Sequence, residues 1–222
     1  MRHGNNMDLG IKDKRVLVTG GSHGIGLAIK KALEAEGCIV RSISRREGCD
    51  VLNNEDIKRV LAEIDKSPLD ILINNVGGGG RWGTESPVDT AQSVWEDVYQ
   101  KNAGAAIKFT MFAVKKMLPL KWGRVVTISS IFGKEGGGRP WFNMAKAAEI
   151  SLMKTLAIHY RNSGVTFNSV CPGLIAIPDT NNEIEGGKPE DVANVVTFLC
   201  SKQARWVNGA CIVVDNAESR SF

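Results

Sequence analysis

Long apolar runs are missing from this chain. No stretch is long enough to cross a bilayer and no N-terminal signal pattern stands out, so neither a membrane span nor export is expected. Metal-ligand spacing is missing as well. The three histidines, His3, His23 and His159, are far apart, and Cys38, Cys49, Cys171, Cys200 and Cys211 form no C-x-x-C pair. Most of the cysteines sit in apolar stretches, which points to reduced core thiols in a reducing, cytoplasmic setting. Nor is there a block of like charge. With 28 Lys and Arg against 24 Asp and Glu, the formal net charge of +4 is scattered, so nucleic acid is not an expected partner and anionic ligands are favoured only mildly.

What is present suits one α/β domain: 222 residues, 43% of them hydrophobic, are enough for a substantial core. Its organising stretch is Thr19-Gly20-Gly21-Ser22-His23-Gly24-Ile25-Gly26. The run Val16-Leu17-Val18 before it reads as a buried strand, and the spacing of Ile25, Ala28, Ile29, Ala32 and Leu33 after it reads as one helical face. The glycines therefore fall at a strand-to-helix turn. Side-chain-free residues let backbone approach a diphosphate closely, and a helix N-terminus offers unpaired N–H groups to it.

Further along, Cys38–Ile43 reads as a second parallel strand ending in Ser44-Arg45-Arg46. A carboxylate at that point would bind ribose hydroxyls and exclude a 2′-phosphate; arginines favour NADP(H) over NAD(H), with Ser44 and Arg45 as phosphate ligands. Two arginines merely solvating a loop is the other reading. Too few residues separate Arg45 from Asp50-Val51 for a helical crossover, so a third strand is either very short or the sheet is trimmed at that edge. Helices are expected over 54–64, over about 91–118 with Asn102 inside, over about 141–162, and from Lys188-Pro189-Glu190-Asp191 onward; strands are expected over 69–73, 124–128, 165–170 and 210–214. Trp82, Trp141, Arg81 and Arg139 either rim a pocket for an anionic or sugar-like substrate or fill space under loops.

Taken in order, the Thr19–Gly26 motif, Asp50-Val51, Asn74-Asn75-Val76-Gly77, Asn102, Ile128-Ser129-Ser130, Lys146, Pro172-Gly173 and Val213-Val214-Asp215 make the chain resemble the short-chain dehydrogenase/reductase family over about residues 11–217. The resemblance implies a doubly wound Rossmann fold, a seven-stranded, mostly parallel sheet with helices on both faces, in a homodimer or homotetramer. It also implies cofactor contacts from Gly20, Ser22, His23, Gly24, Ile25, Gly26, Ser44, Arg45, Asp50, Val51, Asn75, Val76, Gly77, Lys146, Pro172, Gly173 and Ile175. The catalytic positions it implies are Asn102, Ser130, Phe142 and Lys146, with a small-molecule substrate that is anionic, sugar-like or carrier-bound.

The departure lies at Phe142. In the family a tyrosine four residues before the lysine, one helical turn away, exchanges the substrate proton; Phe keeps the ring and removes that proton. The residue fits a substitution that stops turnover, a chemistry that needs no phenol, such as reduction of a protonated imine, or a silent binding subunit. Three smaller departures are Ile177 where the family places a carboxamide-binding Thr (Thr180 comes later), few residues between Pro172 and Gly187, which predicts an open substrate pocket, and Asp215-Asn216-Ala217 in place of Asp-Gly-Gly.

Overall fold

Alternation of side chains along the first strand decides how the layers assemble. In β1 (Arg15–Thr19), Val16 and Val18 project to one face of the sheet and Leu17 to the other, and all three are buried. A strand buried on both faces needs helices on both, and the computed structural model, which describes residues 7–177 and 185–221, provides them. On the Val16/Val18 face lie α1 (Gly24–Ala35) and α6 (Pro189–Cys200), through Ile29, Leu33, Val192, Val196 and Leu199. On the Leu17 face lie α2 (Asn54–Asp65), α4 (Ala105–Met117) and α5 (Pro140–His159), through Ile57, Val60, Phe109, Met117 and Met153. Each such side chain fully removed from water contributes about 1.5–3 kcal/mol before the entropy of ordering it.

The other strands are β2 (Ile39–Ile43), β3 (Ile71–Asn74), β4 (Gly123–Ile128), β5 (Val165–Pro172) and β6 (Cys211–Val214). All pair in parallel, in the order β2-β1-β3-β4-β5-β6. Among the described residues the sheet has six strands rather than seven, and the difference is at the expected edge. After β2 the chain makes a single 3₁₀ turn, Arg45–Glu47, and enters α2 at Asn54, so β2 is the border of the sheet. Strand order reverses between β1 and β3, which opens a crevice at their carboxyl ends.

Between α3 (Gln92–Tyr99) and α4 the helix widens into a π turn over Gln100–Gly104. Asn102, fully buried there, donates through Nδ2 to the Val98 carbonyl at 2.7 Å and to the Gly78 carbonyl at 2.8 Å, and its Oδ1 accepts from Gly78 N at 3.1 Å. The side chain thus satisfies the widened turn and clasps the glycine-rich loop after β3. Residues 178–184, with Thr180 and half of the segment expected to leave the substrate pocket open, lie outside the described residues.

Candidate active site

The crevice between β1 and β3 is a cleft of about 640 Å³. Beneath its floor lies Thr19, whose buried hydroxyl accepts hydrogen bonds from Asn75 N and Val76 N, each at 3.0 Å. Asn75 answers by donating Nδ2 to the carbonyls of Thr19 and Gly20 at 3.0 Å. These bonds tie the exits of the two strands together. Gly20 and Gly24 take φ of +73° and +53°, and a Cβ on Gly26 would collide with the Gly20 carbonyl and the Asn75 amide.

At the mouth of this loop α1 begins without a side-chain cap and with no acid in its first turn, whereas Asn53 caps α2 and Asp191 caps α6. An uncapped helix start facing a cleft, with glycines that keep side chains out of it, suits a diphosphate. The residues present therefore fit a dinucleotide.

At one end, Ser44, Arg45, Arg46, Asp50 and Val51 line the cleft. Ser44 differs from expectation in one respect: its hydroxyl already donates to Glu47 Oε2 at 2.7 Å, and Ser42 bonds the same carboxylate. Burial raises the Glu47 pKa, but those two hydroxyls and the charge of Lys30 outweigh it and hold the carboxyl below its ordinary value. Glu47 is not among the lining residues, so its carboxylate is spent on the loop, and no ion pair engages Arg45 or Arg46 among the described residues.

At the opposite end stand Ile128, Ser129, Phe142 and Lys146. The Lys146 ammonium lies 5.7 Å from the centre of the Phe142 ring, one helical turn before it on α5. Lys146 is itself engaged. It donates to the Ile128 carbonyl at 3.0 Å and to Glu149 Oε2 and Oε1 at 3.0 and 3.4 Å, in an ion pair that is buried on both sides. A Cβ on Gly77 would sit 2.6 Å from Asn102 Oδ1 and 3.1 Å from the lysine, which is why the loop carries glycine at that point.

The cleft brings together Gly20, Ser22, His23, Gly24, Ile25, Gly26, Ser44, Arg45, Asp50, Val51, Asn75, Val76, Gly77, Phe142 and Lys146. Asn102, Ser130, Pro172, Gly173 and Ile175 are not on its wall. Ser130 sits half-buried at the end of β4 and accepts from Phe132 N at 3.2 Å. Gly173 donates its N–H to Val214, and the backbone beside Ile175 is tied to Gly187 by hydrogen bonds from Ala176 N at 2.8 Å and to the Leu174 carbonyl at 3.0 Å. Trp141 is no rim residue: it is fully buried, edge-on to Trp95 at 5.3 Å, and Arg139 is drawn to Glu85 and the Thr84 carbonyl. Trp82 does stay partly exposed, under the ammonium of Lys101 at 4.5 Å.

Lys101, Glu149 and Thr19 were not singled out as site residues from sequence. Lys101 lines the cleft, where burial and then the charge of Arg45 lower its pKa against the pull of Asp50. Its position next to Asn102 was the available signal. Glu149 gave none, being an acid one turn from a lysine on a helix, which usually marks a solvated pair.

Comparison with known proteins agrees with this geometry. Residues 20–216 match the family model described as enoyl-(acyl carrier protein) reductase. Nodulation protein G of Azospirillum brasilense is 30% identical, over 92% of this chain and 98% of that protein. The 3-oxoacyl-(acyl-carrier-protein) reductase FabG of Aquifex aeolicus is also 30% identical, over 94% and 98%. Among solved structures, the aldohexose dehydrogenase of Thermoplasma acidophilum in its ligand-free form superposes with a TM-score of 0.84 at 28% identity, covering 93% of this chain and 94% of that one. A parallel sheet with its crevice at the β1/β3 reversal, a glycine loop feeding α1, and these matches along nearly the whole length place the chain in the short-chain dehydrogenase/reductase family of oxidoreductases.

Proposed function

We propose that the protein is an NADP(H)-dependent oxidoreductase acting on a carbonyl, alcohol or imine, and that proton transfer in the chain as written is impaired by Phe142. The observation that carries this reading is one cleft with an uncapped helix start at its centre, two unpaired arginines at one end and the Phe142–Lys146 pair at the other. The amides of Ser22 to Gly26 would hold the diphosphate, and Arg45 with Arg46 a 2′-phosphate. The nicotinamide, when bound, supplies or accepts a hydride. Ser130 would hold the substrate oxygen, and Asn102 keeps the loop over the reacting end in place.

Phe142 can orient a flat ring or exclude water but cannot move a proton. A positioned acid or base contributes about 10²–10⁴-fold to such a step. Carbonyl reduction should therefore be slow, and a substrate that arrives already protonated, such as an iminium ion, should be less affected. The relative named as a 3-oxoacyl-(acyl-carrier-protein) reductase makes a carrier-bound substrate the first class to assay. We also propose a homodimer or homotetramer through α3 and α5, where Tyr99 and the exposed Met144 border a hollow of about 550 Å³.

A second reading, a silent NADP(H)-binding subunit, is favoured by the Lys146–Glu149 pair, which occupies the lysine that the family uses toward the cofactor ribose. Phe142→Tyr separates the two. Turnover of a carbonyl and alcohol panel with NADPH or NADP⁺ that rises about 10²-fold or more in the variant supports the enzyme. Tight dinucleotide binding with no turnover in either protein supports the silent subunit.

A further inference from the structure

At the opposite edge of the sheet from the dinucleotide cleft lies a larger groove, about 870 Å³, beside the amino ends of β4 and β5. Six cationic side chains line it, Lys121, Arg124, Lys154, Arg161, Lys202 and Arg205, and no carboxylate does. That is more positive charge than the formal net +4 of the whole chain, gathered in a region that sequence order alone spreads over Lys121 to Arg205. No ion pair engages any of the six among the described residues, although eight such pairs occur elsewhere. A field of one sign with no internal counter-charge attracts anions.

Two residues at the foot of the groove are built for more than general attraction. Arg124 is 3% exposed, and its guanidinium donates to the carbonyls of Ser201 (3.2 Å), Gly123 (2.8 Å) and Gly164 (3.4 Å) through Nε and Nη1. Those bonds fix the fork and leave Nη2 over. A buried guanidinium ordinarily has a carboxylate partner, because neutral carbonyls only partly replace its hydration. Directly across the β4–β5 ladder from Arg124 is Thr166, on the same face of the sheet, 5% exposed, and its Oγ1 has no hydrogen-bond partner. A fixed cationic fork and an unsatisfied hydroxyl side by side are complementary to an oxyanion. Above them Trp206 is 85% exposed, beside Arg205, and presents a flat apolar face at the rim.

We propose that this groove is a second ligand site, for a phosphorylated small molecule: the phosphate over Arg124 and Thr166, ringed by Lys154, Arg161 and Lys202, and a flat organic group against Trp206. The location separates it from the reaction. Its floor is the amino edge of the strands, and the dinucleotide cleft is at the carboxyl edge. A ligand here acts as an effector or a stored anion rather than as the substrate.

Calorimetric titration of the full chain with AMP and with inorganic pyrophosphate tests the proposal, with binding expected at a Kd below about 1 mM for both. Because either probe could also enter the dinucleotide cleft, two sets of variants are compared. Lys154→Ala/Arg161→Ala, both exposed positions, should weaken binding about tenfold or more, and Thr166→Val should weaken it without lowering the melting temperature. Quenching of tryptophan emission by AMP should disappear in Trp206→Phe. Absence of binding, binding that is unchanged in the groove variants, or a Trp206 effect on oligomeric state alone would each overturn the assignment.

Discussion

Both carboxylate oxygens of Glu149 face the ammonium of Lys146, at 3.0 and 3.4 Å, one turn along α5 and shielded from water. The pair is isolated enough that burial dominates: it pushes the Glu149 pKa from 4.5 up to about 7, against the pull of Lys146. In the unfolded chain the carboxyl regains its ordinary value, so between about pH 4.5 and 7 the native state holds a proton that the unfolded state has lost. The contribution of this group is most favourable below that window, falls as pH rises through it, and is constant above. Its size is of order 3 kcal/mol. Urea unfolding across that range should show native stability falling toward neutrality in the wild type and a flat profile in Glu149→Gln. Glu47 and Asp215, held below their ordinary values, act at lower pH and do not mask the effect. Parallel profiles for the two proteins would rule out the titration.

The same pair sets the outcome of restoring a phenol. In Phe142→Tyr the new hydroxyl would stand beside an ammonium whose charge Glu149 offsets. Removing that negative charge lets Lys146 lower the phenol pKa. The rise of activity with pH should therefore begin at lower pH in Phe142→Tyr/Glu149→Gln than in Phe142→Tyr alone, measured as kcat/KM for oxidation of an alcohol. Superimposed profiles would mean that the lysine does not act on this position.

Thr19 is where the two strand exits are joined, and the joint can be cut without changing side-chain shape. Thr19→Val leaves the N–H groups of Asn75 and Val76 without their acceptor, at about 1–3 kcal/mol each. The variant should unfold at lower urea and bind NADPH more weakly, whereas Thr19→Ser should restore both.

Much of this site could be read before the fold. The strand-glycine-helix stretch announced α1 because a buried strand and a 3.6-period helical face meet at Gly20–Gly26, and the short spacing from Arg45 to Asp50 left either a very short third strand or the trimmed sheet edge that is seen. What escaped depended on partners far away in sequence. Thr19 has value only against Asn75 and Val76, more than 50 residues later. Glu149 reads as a solvated acid until α5 is packed against the sheet, and Trp141, open in the sequence between a pocket rim and a filler under loops, is decided only when α3 covers it. The basic groove is invisible as a pattern because its cations come from three separate segments, 121–124, 154–161 and 202–205.

The proposed preference for NADP(H) rests on Arg45 and Arg46, which line the cleft while Glu47 is held by Ser42 and Ser44. Arg45→Ala should weaken NADPH binding by about tenfold, the loss of one charge-assisted hydrogen bond, and leave NADH binding unchanged. Fluorescence titration with both nucleotides decides it. Equal losses for the two would place Arg45 away from the 2′ position.

The turn after β6 carries a strain that its sequence makes removable. Asn216 and Ala217 both hold left-handed backbone, with φ of +51° and +64°, at the positions where the family's Asp-Gly-Gly has glycines. Asparagine tolerates that region; alanine does not, because its Cβ approaches a carbonyl oxygen, at about 1–2 kcal/mol. The turn persists because Asp215 holds it: its carboxylate accepts from Ala217 N at 3.0 Å and Ser219 N at 2.7 Å, and its pKa is lowered first by the Ser219 hydroxyl and then by those backbone bonds. Ala217→Gly keeps these backbone bonds and removes the clash, while making the unfolded chain somewhat more flexible. The net gain should be about 0.5–1 kcal/mol in urea unfolding at neutral pH. A variant less stable than the wild type would show that Asp215, not backbone strain, governs the turn.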